Sequence, residues 1–193
     1  MPAPLRIPHA PLTDAEWNAI QVHLQESPRG RPCDLRARFD AIFRLAATDG
    51  PWRELPAEHG IPATVARYFR RLTHTGLWER LLKALAAAPA HHPLRNLEGP
   101  ICRAARRAIR LRGLSLITLA RRLELKRVLP GPPWLVANPD LSKRLFALEI
   151  PVTISMNRYE HRRALTWISA MKRLLTDVGG LRTISRAMKA CWI

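Results

Sequence analysis

Four arginines of the chain recur with the spacing of a single helical face. Arg103, Arg106, Arg107 and Arg110 stand at positions i, i+3, i+4 and i+7, and a helix places four guanidinium groups with this spacing on one stripe. Like charges so close together repel one another, so an anion that neutralises them is stabilising. The planar guanidinium group matches the geometry of phosphate oxygens. The stripe therefore favours contact with a nucleic-acid backbone, and the alternative is a solvated basic face paired with acidic side chains.

The stripe belongs to a strongly basic chain. Its 193 residues include 32 Lys and Arg against 15 Asp and Glu, which gives a net charge of +17. Most of the excess lies in residues 89–193, which hold 20 basic and 6 acidic side chains. This excess predicts a polyanionic partner, with nucleic acid as the first interpretation and a membrane surface as the competing one. No long uncharged apolar segment and no apolar signal-peptide core are present, so we expect neither a transmembrane helix nor a secretory signal.

The cysteine pattern gives no indication of a metal site. Cys33, Cys102 and Cys191 are far apart in the sequence, and no pair of cysteines has the short spacing of a zinc ligand pair. We therefore expect no metal and no cofactor, and we expect reduced thiols in the cytoplasm.

Apolar residues recur at helical spacing along most of the chain, so the sequence predicts an all-α protein. Thr13 and Glu16 have the spacing of a capping box for the first helix, and Asp34 is suited to cap the second. Glycines and prolines then separate further helices. The predicted helices after the second cover residues 52–59, 62–74, 77–88, 100–111, 115–128 with Ser115 as its cap, 141–148, 156–178 and 181–191. Residues 152–155 could instead form a short strand, because Val, Thr and Ile also favour extended structure.

The first half of the chain carries several motifs in a fixed order. They are LTDAEW at 12–17, RGRP at 29–32, GPWRELP at 50–56 and TVARYFRRLTHTGLWERL at 64–81. In this order they resemble the N-terminal helix-turn-helix domain of bacterial insertion-element transposases. The resemblance covers residues 12–88 and implies a domain that binds double-stranded DNA. It divides the chain into an arm (1–11), the helix-turn-helix domain (12–88), a linker (89–99) and a basic helical domain (100–193).

The resemblance makes the helix at 62–74 the recognition helix, whose N-terminal residues reach base edges in the major groove. Arg67 is then the best candidate for a bidentate contact with guanine. Thr64 and Arg71 are suited to hold phosphates, and Tyr68 either contacts DNA or packs. Arg70 is a further candidate DNA-binding residue of this helix. The alternative is an ordinary solvated helix in a bundle. Trp52 and Trp78 are expected to be framework residues of the domain.

Two other basic segments extend the candidate DNA-binding surface. Arg29 and Arg31 flank a glycine, and this turn is either a phosphate clip or minor-groove arm, or simply a solvated turn. Arg158 and Arg162 begin the long helix at 156–178. That helix also has an apolar stripe, which is interpreted as core or as the seam of a homodimer, with Leu165, Ile168, Met171, Leu175 and Val178 as its members.

The sequence gives no sign of the catalytic domain that transposases carry. The resembling enzymes hold two metal ions with three carboxylates on an RNase-H-like sheet, and none of the acidic residues after 88 lies in an apolar strand of that kind. We therefore expect no catalytic activity.

These observations predict a sequence-specific DNA-binding protein of the cytoplasm and nucleoid. Its expected role is that of a transposase-derived transcription regulator or chromosome-associated factor. The alternatives are a non-specific nucleoid or RNA-binding protein, an accessory or truncated transposase that binds element ends, and a protein that docks RNA polymerase.

Overall fold

The computed structural model describes residues 10–24, 34–48, 50–148, 157–181, 183–185, 187–188 and 192. All regular structure in these segments is helical, which confirms the all-α prediction. The helices are α1 (Asp14–Gln21), α2 (Leu35–Thr48), α3 (Pro62–His74), α4 (Leu77–Ala87), α5 (Pro93–Asn96), α6 (Glu98–Arg112), α7 (Leu114–Arg122), α8 (Pro139–Phe146) and α9 (Arg158–Gly179).

The chain forms two compact units, Met1–Val128 and Leu129–Ile193. In the first unit α6 is the central helix and packs against α2, α3, α4 and α7. The segment predicted as a linker contains the short helix α5, which packs against α1 and α4. The assignment of arm, helix-turn-helix domain, linker and basic domain stays a prediction.

The predicted helix starts of the N-terminal segment are confirmed. The Thr13 hydroxyl accepts from the Glu16 N–H, and the Glu16 carboxylate accepts from the Thr13 N–H at 2.9 Å, which completes the capping box of α1. The Asp34 carboxylate accepts from the Ala37 N–H at 2.9 Å at the start of α2. Between α3 and α4, Gly76 takes a left-handed conformation with φ of 75°, which a residue without Cβ adopts at no steric cost.

The helix predicted at 52–59 is wrong, because the structure has two separate 3₁₀ turns there, Trp52–Glu54 and Ala57–His59. Pro56 has no N–H to continue a helical ladder, and a proline also disfavours helical geometry in the residue before it. Leu55 accordingly is extended, with ψ of 125°.

The helix predicted at 115–128 is too long, since α7 ends at Arg122 and Lys126–Val128 forms a 3₁₀ turn. Glu124 interrupts the helix with a left-handed φ of 57°. The predicted Ser115 cap is also wrong. Gly113 is the N-cap of α7, and the Ser115 hydroxyl donates to the Arg112 carbonyl at 2.9 Å.

The second unit is built from α8 and α9, which pack against each other. The Asn138 N–H donates to the Val178 carbonyl, and the Leu181 N–H donates to the Leu135 carbonyl, both at 2.8 Å. Gly180 fits this close approach, because a Cβ there would lie 2.4 Å from the Ala137 nitrogen. The possible strand at 152–155 lies outside the described residues. Of the helix predicted at 181–191, residues 181 and 183–185 are not helical and residues 187–188 are, and the remaining positions lie outside the described residues.

The apolar stripe predicted for α9 is only partly a core. Val178 is buried, but Leu165 and Ile168 are 52% and 42% exposed, so the core prediction is wrong for these two positions. The less exposed side chains define a rotated face of α9 to which Leu165 does not belong. Its members are Ala164, Trp167, Met171, Leu175 and Val178.

Candidate nucleic-acid interface

The helix α3 is held in the first unit by one fully packed face. The Phe69 ring lies 5.2 Å from the Trp52 ring and 5.4 Å from the Trp78 ring, measured between centroids. The indole N–H of Trp78 donates to the buried Thr73 hydroxyl at 3.0 Å, and this hydroxyl donates to the Phe69 carbonyl at 2.9 Å. Trp78 is fully buried and Trp52 is half-buried, so the framework prediction for both is confirmed. The packed face fixes the direction in which the opposite face points.

The opposite face of α3 is polar, basic and exposed. Thr64, Arg67, Arg71 and His74 recur along one stripe, and Arg70 lies beside it. Neither Arg67 nor Arg70 has a hydrogen bond or an ion pair among the described residues. Their guanidinium groups are therefore available to a partner without the loss of an internal contact.

Tyr68 packs instead of pointing outward from this face. Its side chain is only 5% exposed, and the guanidinium carbons of Arg38 and Arg71 each lie 5.2 Å from its ring centroid. Two cations at this distance from an aromatic ring are stabilised by its electron-rich face. Of the two predicted roles for Tyr68, the structure thus shows packing, and the ring positions Arg38 and Arg71 at the junction of α2 and α3.

Sequence reasoning missed Arg38 as a member of this basic surface. Arg38 lies off the apolar stripe of α2 and looks like an ordinary solvated residue in the sequence. Its proximity to Tyr68 depends on how α2 and α3 pack, and the sequence around position 38 carries no signal of that packing.

A groove of about 350 Å³ lies beside the N-terminus of α3. It is bounded by the start of α2 and by the residues that precede α3, with Asp34, Ala37, Arg38, Glu58, His59, Gly60, Ile61, Thr64 and Val65 as its lining. Two of these residues are carboxylates, so the groove is less positive than the face of α3 beside it. The Glu58 carboxylate is 72% exposed and lies 3.4 Å from the His59 ring nitrogen.

The arginine stripe of α6 is not a continuous free surface. Arg107 donates to the Gly50 carbonyl at 2.8 Å, and its guanidinium carbon lies 4.6 Å from the Trp52 ring centroid. Arg106 donates to the Arg127 carbonyl through Nε at 3.1 Å and also through a terminal nitrogen. Both side chains therefore connect α6 to other parts of the first unit.

Arg103 is partly enclosed. Its Nε is buried without a hydrogen-bond partner among the described residues. Burial, and then the charge of Arg106, lower the pKa of Arg103 below its usual value. Arg110 is exposed. The predicted helix is confirmed. Of its four arginines, Arg110 is the one that is exposed, and contact of these arginines with DNA stays a prediction.

Further arginines, which sequence reasoning did not single out, satisfy main-chain carbonyl groups. Arg80 donates to the carbonyls of His23 and Thr75 at 3.1 and 2.6 Å, the second of these at the C-cap of α3. Arg95 donates twice to the carbonyl of Ala88, the C-cap of α4. Basic side chains are favourable at helix C-termini, where carbonyl groups lack partners. Part of the positive charge of this chain therefore stabilises the fold.

The remaining predicted contacts lie in the second unit or outside the described residues. Arg158 and Arg162 are exposed on one face of α9, in the second unit. Arg29 and Arg31 lie outside the described residues. Within the described segments, no three His, Cys, Asp or Glu side chains come together as metal ligands. No helix in the same segments is long and apolar enough to cross a membrane.

Comparison with known proteins gives a family match over the segment that holds α3. Residues 12–82 match the model of a family described as "Putative transposase of IS4/5 family". The match begins just before α1 and ends within α4. No curated protein and no solved structure matches the chain. The resemblance of the N-terminal segment to transposases is thereby confirmed.

Proposed function

We propose that this chain is a sequence-specific double-stranded DNA-binding protein that reads base edges with the exposed face of α3. The observation that carries the proposal is the guanidinium group of Arg67, which is exposed and has no internal partner in the part of the chain that the structure describes, on a helix whose other face is packed. This helix lies within the segment that matches the transposase family. A guanidinium group held in this way is suited to two parallel hydrogen bonds with guanine O6 and N7.

The proposed mode of binding keeps α3 as the recognition helix, although two 3₁₀ turns stand where the sequence predicted the first helix of the pair. The 3₁₀ turn Ala57–His59 precedes α3, and Gly60, with φ of 91°, provides the turn into the helix. The neighbouring helices are poorly suited to read DNA. The helix α4 buries Leu77, Trp78, Leu81, Leu82 and Leu85, and α6 is the central helix of the unit.

The phosphate contacts of the proposed complex come from cations beside the reading residues. Arg70 has no internal partner among the described residues, and Arg38 and Arg71 are positioned by Tyr68. Each phosphate that such a side chain neutralises releases counterions, so binding weakens steeply as the salt concentration rises. These contacts fix the position of α3 on the duplex, and Arg67 supplies the sequence preference.

The role we propose is a transposase-derived transcription regulator or chromosome-associated factor that works on the nucleoid. The family match favours a second candidate, an accessory or truncated transposase that recognises the ends of an element. Flanking inverted repeats among the bound sequences would favour that second candidate. The proposal includes homodimer formation through α9, which the exposed Leu165 and Ile168 support. It also includes the absence of catalytic activity, and nicking of a plasmid by the chain with Mg²⁺ or Mn²⁺ would contradict that part.

The proposal is tested by capture of random genomic fragments at about 150 mM salt with excess competitor DNA, where non-specific binding is weak. We expect a shared short motif among the fragments captured by the wild-type chain. Arg67→Ala loses this motif, whereas Lys83→Ala, a matched change at an exposed cation of α4, retains it. Capture without any shared motif contradicts the proposal and leaves a non-specific nucleic-acid binder. Co-purification with RNA polymerase in the absence of DNA would instead identify an interaction protein.

A further inference from the structure

Ile61 is an apolar side chain in an unusual place. It is the N-cap of α3, directly before the helix that carries the free arginines, and it is 70% exposed. Single exposed apolar residues are common on protein surfaces. What distinguishes Ile61 is its position on the groove beside α3, where it is accompanied by Thr64.

The outer face of α3 carries an ordered series of chemical groups. Ile61 supplies an apolar end, Thr64 follows one turn later with a methyl and a hydroxyl group, and Arg67 follows another turn later. When a recognition helix enters the major groove, its N-terminal residues face base edges. The 5-methyl group of thymine is the apolar group on those edges, and apolar side chains contact it.

The charges around Ile61 favour a base edge over a phosphate at this position. The groove that Ile61 lines holds the carboxylates of Asp34 and Glu58 beside the guanidinium group of Arg38, so it attracts a phosphate less than the basic outer face of α3 does. The cations Arg67 and Arg70 lie further along α3, where phosphates or guanine bind favourably. A nucleic acid whose base edges face Ile61 and Arg67 and whose backbone faces Arg70 satisfies both sets of charges.

We propose that Ile61, together with the methyl group of Thr64, reads the 5-methyl group of a thymine in the bound site, an inference that rests on the proposed function of α3. Arg67 lies six residues after Ile61, which corresponds to a rise of about 9 Å along a helix. Base pairs are spaced at about 3.4 Å. The thymine therefore lies about two or three base pairs from the guanine that Arg67 contacts.

The test replaces each thymine of the captured motif with uracil, one at a time, which removes only the methyl group. Dissociation constants are measured by fluorescence anisotropy for the wild-type chain, Ile61→Ala and Val22→Ala. Val22 is a matched control, because it is also β-branched and is 74% exposed. Both substitutions are at the surface, and circular dichroism checks that the helical fold is retained.

We expect one thymine at which uracil weakens wild-type binding about fourfold, the effect of one buried methyl group. Ile61→Ala binds the thymine site less tightly and no longer distinguishes uracil from thymine there, whereas Val22→Ala behaves as the wild type. A motif that depends on Arg67 but tolerates uracil at every position overturns the inference alone. The same holds if Ile61→Ala keeps its uracil sensitivity. Failure to select any motif overturns both the inference and the proposed function.

Discussion

The helices α3 and α6 are both rich in arginine, yet the structure uses their guanidinium groups in opposite ways. In α3, Arg67 and Arg70 extend from the surface without internal partners among the described residues. In α6, Arg106 and Arg107 donate to carbonyl groups of Arg127 and Gly50. The comparison teaches that the spacing of arginines defines a helical face but does not decide whether solvent reaches that face.

Small residues account for the difference between the two helices. Ala104, Ala105 and Ala108 of α6 are fully buried, and side chains of this size allow neighbouring helices to approach closely. Because α2, α3 and α4 surround α6, its long arginine side chains reach main-chain groups of adjacent segments. Such side chains bury their aliphatic part and place the charged end at a polar group.

The largest expected effect concerns the reactivity of Cys102, which is buried in α6, unlike the exposed face of α3. Burial raises the pKa of Cys102 to about 12, so the native thiol carries almost no thiolate at pH 8 and is enclosed as well. We expect iodoacetamide to label Cys102 more than about a thousandfold more slowly in the native chain than in urea, since labelling requires unfolding. Peptide mass spectrometry measures the rate. Fast native labelling would show that α6 is not central.

Replacing an alanine with leucine is expected to destabilise the fold in α6 but not in α3. Ala104→Leu inserts a bulky side chain into the packed centre, and we expect the free energy of unfolding to fall by about 1–3 kcal/mol. Ala63→Leu, the same change at an exposed position of α3, is expected to alter it by less than about 0.5 kcal/mol. Urea denaturation measures both. Equal losses of stability in the two variants would contradict the claim that α6 is packed and α3 is exposed at these positions.

Arg107→Ala tests whether an α6 arginine stabilises the fold. The variant loses the hydrogen bond to Gly50 and the contact with the Trp52 ring, so we expect about 1–2 kcal/mol less stability. Arg110→Ala, at the exposed end of the same helix, is the control and should change stability by less than about 0.5 kcal/mol. If both variants are as stable as the wild type, the contacts of Arg107 are energetically unimportant.

Arg70→Ala is expected to have the smallest effect. Loss of one phosphate contact reduces the slope of log affinity against log salt concentration by about one, with a uniform loss of affinity across sequences. Titrations of one duplex at several salt concentrations measure the slope. Lys83→Ala should leave the slope unchanged. An unchanged slope for Arg70→Ala as well would place the phosphate contacts elsewhere.

The parts of the fold that sequence reasoning predicted are those set by neighbouring residues. The capping box at Thr13 and Glu16 and the glycine at position 76 act over a few residues, so α1, α3 and α4 were placed within about a turn. The helix predicted at 52–59 is wrong although the deciding signal is also local, because Pro56 disfavours helical geometry at Leu55.

The candidate site was less predictable, since its arrangement depends on distant segments. The exposed stripe of α3 follows from its periodicity, and Arg67 and Arg70 are placed as predicted. The contact of Arg107 with Gly50 joins residues 57 positions apart, and a main-chain carbonyl has no sequence signature. Arg38 and the burial of Tyr68 likewise follow from the packing of α2 on α3.

The most direct measurement of the central claim is the affinity of Arg67→Ala and Arg107→Ala for the captured motif and for a scrambled duplex, at one salt concentration. Our account predicts that Arg67→Ala lowers affinity for the motif by about 10- to 100-fold, the range for loss of a bidentate base contact, and leaves affinity for the scrambled duplex nearly unchanged. Arg107→Ala retains the preference for the motif. A preserved preference in Arg67→Ala, or an equal loss in Arg107→Ala, would contradict the claim that α3 reads the DNA.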